Sequence, residues 1–434
     1  MAGDLGARRA ALAVAERVLD RRQPLDAALD QIFAKTNLAR RDRGFARELV
    51  TLLLRRHGSL ALALKKLMER PLPKREAMVG RAIELGLAQI LFLDVADHAA
   101  VDTTVRLVRT AGRRGPHFAG LANAVLRRAV RERDRLREEI AADPAIDTPA
   151  WLWTRWTKTY GDDTAAAIAE AHRQTPPLDL SFRSPADKAA VAQALDGHEL
   201  PTEGLRLRPK GPVNALPGFA EGRWWVQDVA ASLPARLFGD VAGKDVADLC
   251  AAPGGKTLQL AAAGARVTAV DKSPARIALL EANLARTGLA ADPVTSDVLT
   301  WRPGRRFDHI LLDAPCSATG TIRRHPDIPY LKSESDIATL TALQAALLDH
   351  AFTLLAAGDT LVYAVCSLEP EEGRDQIAAF LDRHKDARRA AIDASELPGL
   401  EHVITEAGDL RSLPCHLGER GGMDGFFVAR LGHR

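Results

Sequence analysis

Along the first 140 residues, apolar side chains recur three and four positions apart, which is the spacing of one helix face. The spacing holds in six stretches: residues 10–19, 25–33, 45–54, 82–92, 100–108 and 118–130. Short breakers separate them, namely Gly58 with Ser59, residues 71–73 and residues 111–116. Because no alternating strand pattern interrupts the series, the sequence predicts an all-α domain of five to seven helices over residues 1–140.

The pattern changes between residues 141 and 220, where prolines are frequent and three tryptophans lie close together. Residues 177–183 alternate apolar and polar side chains, which is typical of a half-buried strand. Trp151, Trp153 and Trp156 have two open interpretations. Such clusters more often pack between domains, but they also stack on bases. The stretch is predicted to be a small α/β connector.

From residue 221 onward, short apolar runs alternate with helical segments. Strands are predicted at residues 244–249, 266–270, 293–295, 307–312, 359–365 and 424–431, and helices at residues 257–263, 274–287, 333–356 and 371–384. Ser273 and Pro274 supply an N-cap and a first-turn proline for the second of these helices. The alternation predicts a mostly parallel, doubly wound sheet over residues 221–434, with its site at the C-terminal ends of the strands.

Composition adds an asymmetry of charge to this picture. The chain has 434 residues, 47% of them hydrophobic and 26% charged, with a net charge of +3. Residues 1–140 contain 28 Lys and Arg against 17 Asp and Glu, a net charge of +11, so the remainder carries −8. This segregation slightly favours a polyanion partner such as a nucleic acid over a merely solvated helical surface.

Other classes of protein are disfavoured by what the chain lacks. No run approaches the roughly 18 uncharged apolar residues of a membrane span, and no apolar stretch follows the first charges as in a secretory signal. The four cysteines lie far apart, without the spacing of metal ligands. We therefore expect a reduced, cytoplasmic protein without a disulfide scaffold, a metal or a membrane segment.

A glycine-rich turn over residues 248–257 joins the first predicted strand of this region to its first helix. Glycines let a ligand approach the backbone closely, and the helix N-terminus supplies unpaired N–H groups. Lys256 and Thr257 are similar to the end of a phosphate loop, but the first glycine of GxxxxGK[ST] is missing. A nucleotide triphosphatase is therefore disfavoured, and the dinucleotide pattern GxGxxG is absent as well.

Acids and thiols follow the later strands. Asp271, Asp297 and Asp313 end successive strands, and while helix capping would explain any one of them, all three favour one crevice for a nucleoside-like cofactor. Cys316 and Cys366 also end strands, each followed by serine. A single buried cysteine is usually inert, but two at one sheet edge favour a reactive thiol.

These motifs resemble the catalytic domain of S-adenosylmethionine-dependent RNA (cytosine-5)-methyltransferases of the Sun/RsmB type. The similarity rests on residues 225–228, 250–257, 313–317, 320–327, 366–370 and 424–427. Residues 42–49, 85–92 and 122–127 resemble the NusB-like RNA-binding domain of the ribosomal branch. The resemblance implies a multidomain chain: an all-α NusB-like domain (1–140), a small α/β connector (141–220) and a Rossmann-like methyltransferase domain (221–434).

The resemblance also implies a cofactor, S-adenosylmethionine, and the residues around it. Its site would comprise Cys250, Ala251, Ala252, Pro253, Gly254, Gly255, Lys256, Asp271, Asp297 and Asp313, with Asp271 at the ribose and Asp297 near the adenine. Cys366 would be the nucleophile, Cys316 would assist product release, and Asp313 would lie near the methyl donor and the target base. The family usually has threonine where Val365 precedes the nucleophile.

Covalent chemistry explains why such residues are needed. Carbon 5 of cytosine is a poor nucleophile, and a thiolate that adds at carbon 6 makes it reactive. Asp313 could donate a hydrogen bond to ring N3 if desolvation keeps it neutral. Lys256 could instead organise Asp313 and the base.

We therefore expect methylation of a cytosine in 16S ribosomal RNA or a small-subunit precursor. A tRNA (cytosine-5)-methyltransferase is the alternative within this enzyme class. A DNA cytosine methyltransferase would use Cys316 and would not need Cys366. A non-catalytic RNA-binding or ribosome assembly factor is the alternative from another class. Arg323, Arg324 and His325 either contact the RNA backbone or form a solvated loop.

Overall fold

The computed structural model describes residues 2–208 and 211–434. Met1, Pro209 and Lys210, which fall within the predicted domain ranges, lie outside the described residues. By its internal contacts the chain forms two compact units. Unit 1 comprises Met1–Gln174 and Ile322–Ser333, and unit 2 comprises Thr175–Thr321 and Glu334–Arg434. These units do not coincide with the three predicted ranges, because the stretch 141–220 is shared between them.

Unit 1 consists of helices, in agreement with the pattern of its apolar residues. Ten of them precede the boundary at Gln174: α1 (Ala2–Arg21), α2 (Leu25–Ala34), α3 (Arg40–Arg55), α4 (His57–Leu67), α5 (Ala77–Phe92), α6 (Asp97–Arg109), α7 (Gly115–Arg131), α8 (Arg133–Ala141), α9 (Ala150–Tyr160) and α10 (Asp162–Arg173). The prediction of five to seven helices over the first domain is wrong, since eight described helices end by Ala141.

The error has a physical reason at Gly58 and Ser59, which the sequence suggests as a break but which lie in the first turn of α4. A Cβ at Gly58 would lie 1.7 Å from the carbonyl oxygen of Ile146. The glycine therefore allows a close approach of two chain segments and does not end a helix.

Helix α5 is central to unit 1. Eleven of its sixteen residues are buried, and it packs against α1, α3, α4, α6 and α7. The buried guanidinium of Arg8 donates from Nε to Oε1 of Gln89 on this helix over 2.9 Å. The core of unit 1 therefore contains two polar side chains that are hydrogen-bonded to each other.

Unit 2 begins with a four-stranded antiparallel sheet of order β2–β3–β1–β4. Its elements are β1 (Leu178–Phe182), α11 (Pro185–Ala194), β2 (His198–Glu199), β3 (Leu205–Leu207), β4 (Trp224–Val226) and the following α12 (Val229–Arg236). The strand predicted at residues 177–183 is thus confirmed as β1.

The larger sheet has the path β10–β12–β9–β8–β5–β6–β7, with β11 paired to β12. The remaining elements are β5 (Asp245–Leu249), α13 (Gly255–Ala262), β6 (Arg266–Asp271), α14 (Pro274–Thr287), β7 (Asp292–Thr295), β8 (Phe307–Asp313), α15 (Ile328–Leu331, in unit 1), α16 (Glu334–Leu354), β9 (Leu355–Val365), α17 (Arg374–Arg383), β10 (Ala387–Arg389), β11 (Leu410–Ser412) and β12 (Phe426–His433). Strands β5 to β9 are parallel, whereas β10, β11 and β12 pair antiparallel. The predicted mostly parallel, doubly wound sheet is confirmed, and it aligns five strand C-termini along one edge.

Helix α16 is the one helix in the described chain that is long and apolar enough to cross a membrane by length and composition. Its buried residues include Leu347, Leu348 and Ala351, and it packs against β8 and β9. These three residues belong to a hydrophobic core of unit 2.

Residues 322–333 follow β8 in the chain but pack within unit 1. Asp327 Oδ2 accepts a hydrogen bond from the backbone N–H of Leu25 over 2.8 Å. Leu25 is the first residue of α2, and the preceding Pro24 offers no side-chain cap. The carboxylate of Asp327 therefore caps a helix some 300 positions earlier in the chain.

Two further hydrogen bonds hold this segment. The Tyr330 hydroxyl donates to the carbonyl of Leu54 over 2.9 Å, and Arg55 Nη2 donates to the carbonyl of Arg323 over 3.0 Å. Arg323 is only 1% exposed. Both interpretations of residues 323–325, an RNA contact and a solvated loop, are therefore wrong for Arg323, because its neighbours in unit 1 enclose it.

Candidate active site

The C-terminal edge of the parallel strands brings the predicted site residues into one row. Along β7, β6, β5, β8 and β9, the residues at or just after the strand ends are Asp297, Asp271, Cys250, Asp313 and Cys366. Neighbouring strands in this order are hydrogen-bonded, so these five side chains follow one another along the sheet edge. The topology therefore unites residues that the sequence separates by up to 116 positions.

The glycine-rich turn between β5 and α13 is held in a special backbone conformation. Cys250 has φ +62° and Gly254 has φ +104°, both in the left-handed region. A Cβ at Gly254 would also lie 2.9 Å from Leu280 Cγ. Both the positive φ and this short distance therefore favour glycine at position 254. Gly254 is the N-cap of α13 and offers no side chain to cap it. The first N–H groups of this helix thus remain suited to a ligand.

Asp271 is fixed against this turn by three hydrogen-bonding groups. It accepts from the N–H of Ala252 over 3.3 Å and from the N–H of Ser273 over 3.0 Å, and Arg276 Nη1 lies 3.2 Å from Oδ2. Arg276 also donates to the carbonyl of Ala252. Arg276, the third residue of α14, was not among the predicted site residues, and its position in the sequence gives no sign of this role.

Asp297 differs from the other strand-end acids. It is exposed, and its Oδ1 accepts from the N–H of Leu299 over 3.0 Å, which caps a turn. Capping thus accounts for the carboxylate of Asp297, as the sequence analysis allowed for any one of the acids.

Asp248 lies beneath the turn and was not among the predicted site residues. Its Oδ2 accepts from the Thr257 hydroxyl over 2.5 Å, whereas Oδ1 has no partner in the described chain. Burial raises the pKa of Asp248 to about 7. A buried acceptor without a partner at the base of an uncapped helix fits a polar ligand such as a nucleoside-bearing cofactor. An acidic residue within a mostly apolar strand is the feature of the sequence that could have identified Asp248 as a site residue.

The buried Lys256 and the half-buried Asp313 form an ion pair, with 2.7 Å between Nζ and Oδ2. Burial by itself would lower the pKa of Lys256, but the Asp313 carboxylate raises it overall, with smaller contributions from Asp248 and Cys366. The ammonium also lies 5.3 Å from the centre of the Phe426 ring.

With its pKa raised, Lys256 carries a proton against the Asp313 carboxyl group. This contact agrees with the alternative in which Lys256 organises Asp313, and the role of each residue stays a prediction.

The two strand-end thiols contact each other. Cys316 Sγ and Cys366 Sγ are 3.5 Å apart, and both side chains are half-buried. The hydrogen bond with Cys366 and burial together raise the pKa of Cys316 well above its usual value. Cys316 thus keeps its proton and is placed to donate it towards the Cys366 sulfur.

A single carboxylate fastens the loops that follow these two cysteines. Glu372 is fully buried; its Oε1 accepts from the N–H of Ser317 over 2.8 Å and from Gln344 Nε2 over 3.0 Å. Its Oε2 accepts from the hydroxyls of Ser317 and Ser367, the latter over 2.5 Å. Since Ser317 and Ser367 each follow a cysteine, Glu372 fixes the spacing of the thiols. The serine after each cysteine is visible in the sequence, but its shared partner is not.

The remaining cysteines and the departure from the family motif have simpler explanations. Burial raises the pKa of Cys250 to about 12, which suits a structural thiol in the turn. Burial also raises the pKa of Cys415. Val365, in place of the expected threonine, is buried in the apolar core opposite Phe427 on β12, so an apolar side chain fits this position.

Comparison with known proteins identifies two family matches in the chain. Residues 239–432 match the family model described as 16S rRNA methyltransferase RsmB/F, and residues 5–131 match the NusB family. The ribosomal RNA small subunit methyltransferase B of Salmonella agona (strain SL483) is 38% identical over 430 residues, covering 96% of both chains.

Solved structures agree on the fold. The crystal structure of PH0851 covers 98% of both chains with a TM-score of 0.75 and 20% identity. A methyltransferase homolog protein from Pyrococcus horikoshii covers 65% of this chain and 93% of its own, with a TM-score of 0.54 and 28% identity.

Proposed function

The chain belongs to the ribosomal RNA small subunit methyltransferase B family, and on that premise we propose that it methylates carbon 5 of a cytosine in 16S ribosomal RNA. The methyl donor is S-adenosylmethionine. The observation that carries the proposal is the contact between Cys316 and Cys366, 3.5 Å apart at the sheet edge that also holds the Lys256–Asp313 pair. Two thiols beside a proton-bearing pair suit covalent activation of a pyrimidine ring.

In this mechanism the thiol of Cys366 loses its proton to solvent, and the thiolate attacks carbon 6 of the flipped cytosine. A C–S bond forms, and the displaced electron pair moves towards carbon 5 and N3. The Asp313 carboxylate contacts the N3 side of the ring and relays a proton from the Lys256 ammonium, which neutralises the developing charge. When bound, S-adenosylmethionine supplies an electrophilic methyl group that carbon 5 can attack.

Release requires the carbon 5 proton to leave and the C–S bond to break. Cys316 donates its thiol proton to the departing Cys366 sulfur, and the resulting Cys316 thiolate takes the proton from carbon 5. The raised pKa of Cys316 makes that thiolate a strong base. As the ring is restored, N3 returns its proton through Asp313 to Lys256. Both cysteines end as thiols, and the one proton that net methyl transfer releases is the proton that Cys366 gave to solvent before its attack.

Binding of the cofactor falls to the turn between β5 and α13, residues 250–256. The uncapped N-terminus of α13 and the unpartnered Oδ1 of Asp248 offer polar contacts, while Asp271 at the next strand end lies beside the turn. Asp271 would hold the ribose, and Asp297, one strand further, would lie near the adenine.

Identification of the methylated nucleoside tests this function. We would incubate the full-length protein and labelled S-adenosylmethionine with 16S rRNA, with bulk tRNA and with duplex DNA, and digest the products to nucleosides. Label in 5-methylcytidine from 16S rRNA alone is expected. Label in another nucleoside, or in tRNA or DNA instead, would overturn the proposal.

A further inference from the structure

Hydrogen bonds hold the loop that follows Cys366 at several points. The carbonyl of Cys366 accepts from the N–H of Gly320 over 3.0 Å. The hydroxyl of Ser367 donates to the Glu372 carboxylate, and the carbonyl of Ser367 accepts from Nη1 of Arg411. Arg411 lies on β11, 44 positions later in the chain than Ser367. This last bond therefore ties the loop to the antiparallel part of the large sheet.

The guanidinium of Arg411 has a fixed place on this sheet. Its Cζ lies 5.1 Å from the centre of the Phe427 ring, the residue that pairs with Arg411 across β11 and β12. Phe427 pairs in turn with Val365 on β9, directly before Cys366. The arginine thus contacts the residue after the cysteine and, through Phe427, is in register with the residue before it.

A glycine leaves the space that this side chain occupies. A Cβ at Gly373 would lie 2.8 Å from Nη2 of Arg411, so a larger residue there would force the guanidinium to move. Gly373 is buried and directly follows Glu372, which holds the Ser367 hydroxyl. The local structure is therefore built around the guanidinium.

We propose that Arg411 is a positioning residue for the covalent attack. By holding the Ser367 carbonyl, it fixes the direction in which the Cys366 sulfur approaches carbon 6 of the base. The inference rests on the proposed function, because it assigns Arg411 to the step in which the C–S bond forms. Arg411 acts through Cys366 and needs no contact with the RNA.

A positioning role follows from what this attack demands. The sulfur must reach carbon 6 at a suitable distance and angle, and a misplacement of about 1 Å costs on the order of 100-fold in rate. A charged donor makes a stronger hydrogen bond than a neutral one, and the planar guanidinium is directional. The bond from Arg411 therefore limits how far the backbone after Cys366 can turn.

The test measures adduct formation in full-length Cys316→Ala protein, in which blocked release isolates the attack by Cys366. Denaturing gels give the rate of formation of the protein–RNA adduct at saturating 16S rRNA and S-adenosylmethionine. Adding Arg411→Met should slow this rate about 30-fold, with half-saturating concentrations of RNA and cofactor unchanged within about twofold. Arg411→Lys keeps a cationic donor and should restore the rate to within about fivefold of the parent.

Arg388→Met is the matched control. Arg388 lies on β10, which also pairs with β12, and its Nε donates to the carbonyl of His433 over 3.0 Å. It pairs with Gly432, at the opposite end of β12 from Phe427. This variant removes the same kind of bond from the same sheet and should keep the parent rate.

Thermal unfolding checks that each variant is folded at the assay temperature. If Arg411→Met is not, Arg411→Gln takes its place; it removes the charge but keeps a polar side chain, and should slow adduct formation about tenfold.

Three results would overturn the inference: a parent rate in the folded Met or Gln variant, an equal loss in Arg388→Met, or a loss that more RNA reverses. Arg411→Lys no faster than Arg411→Met would also contradict it. If the Cys316→Ala parent forms no adduct and the wild type does not methylate 16S rRNA, the proposed function fails and the inference fails with it. A parent that forms the adduct leaves the inference alone at stake, which separates the two failures.

Discussion

The two units differ in how their buried carboxylates are partnered. In unit 2 the carboxylate of Glu372 accepts hydrogen bonds from the loops after both cysteines, whereas Asp248 beneath the glycine-rich turn keeps one oxygen without a partner in the described chain. In unit 1 the buried carboxylate of Glu84 also has an oxygen without a partner among the described residues. The comparison teaches that a partnered carboxylate holds neighbouring groups in place, whereas a buried oxygen without a partner makes the ionised carboxylate costly for the fold.

Removal of the buried cation should give the largest effect. Lys256→Met leaves the Asp313 carboxylate without its proton-bearing partner, and we expect kcat for methyl transfer to fall on the order of 1,000-fold. Single-turnover rates at saturating RNA and cofactor measure this. Lys244→Met, at an exposed lysine before β5, is the control and should retain activity. Equal rates for the two variants would show that the ion pair has no catalytic part.

Replacement of Glu372, which accepts hydrogen bonds from the loops after both cysteines, should give the next largest effect. Glu372→Gln places an amide where Ser317 and Ser367 donate, so the cysteines lose their fixed spacing, and kcat should fall about 100-fold with little change in KM. Glu371→Gln alters an exposed neighbour and serves as the matched control. A loss confined to thermal stability, with kcat intact in the folded fraction, would reduce Glu372 to a purely structural group.

The buried carboxyl group of Glu84 in unit 1 should destabilise the folded protein as it ionises. The pKa of Glu84 is raised from 4.5 to about 7 in the folded chain, so its stabilising protonated form is lost as pH rises through that interval. Wild-type protein should therefore lose about 2 kcal/mol relative to Glu84→Gln between pH 5 and pH 8.

His57, Arg81 and Asp20 also face this region, and the difference between the two proteins cancels their contributions. Thermal unfolding of the wild type and of Glu84→Gln between pH 5 and pH 8 measures the difference in their stability. A constant difference across pH would contradict an unpartnered Glu84.

The smallest expected effect concerns the segment 322–333. Asp327→Ala removes the cap of α2, and amide hydrogen exchange at the start of α2 should become about tenfold faster, corresponding to roughly 1 kcal/mol. His325→Ala, at an exposed residue of the same segment, should leave exchange unchanged. Unaltered exchange in Asp327→Ala would mean that the carboxylate does not cap the helix.

Much of the fold follows from local patterns in the sequence. Period-three and period-four spacing predicts the helices of unit 1, and the alternation of strands and helices predicts the parallel sheet. Long-range contacts do not show in such patterns. Gly58 permits a contact with Ile146, and Asp327 caps α2, so a missed helix and a misjudged loop both depend on distant partners.

The candidate site also contains residues that the sequence predicts and residues that it does not. Strand-end positions predict Cys250, Asp271, Asp313, Cys316 and Cys366, because topology alone aligns the ends of parallel strands. Lys256 was also predicted, from the glycine-rich turn. Two other partners come from elsewhere and were not predicted, namely Arg276 from α14 and Glu372 from the turn before α17. Side-chain pairing across elements is decided by packing, which residue spacing does not record.

The segment 322–333 also changes how the units can be separated. A truncation that removes residues 1–140 would strip Asp327 and Tyr330 of their partners at Leu25 and Leu54. Unit 1 is therefore best probed by point variants in the full chain, as in the experiments above.

The central claim is that Cys366 attacks the base and Cys316 releases it. Its most direct test is a denaturing gel of the reaction with 16S rRNA for Cys366→Ala and Cys316→Ala. We predict that Cys366→Ala neither methylates nor crosslinks RNA, whereas Cys316→Ala accumulates a denaturant-resistant protein–RNA adduct. An adduct in Cys366→Ala and none in Cys316→Ala would place the nucleophile at Cys316 and contradict the account.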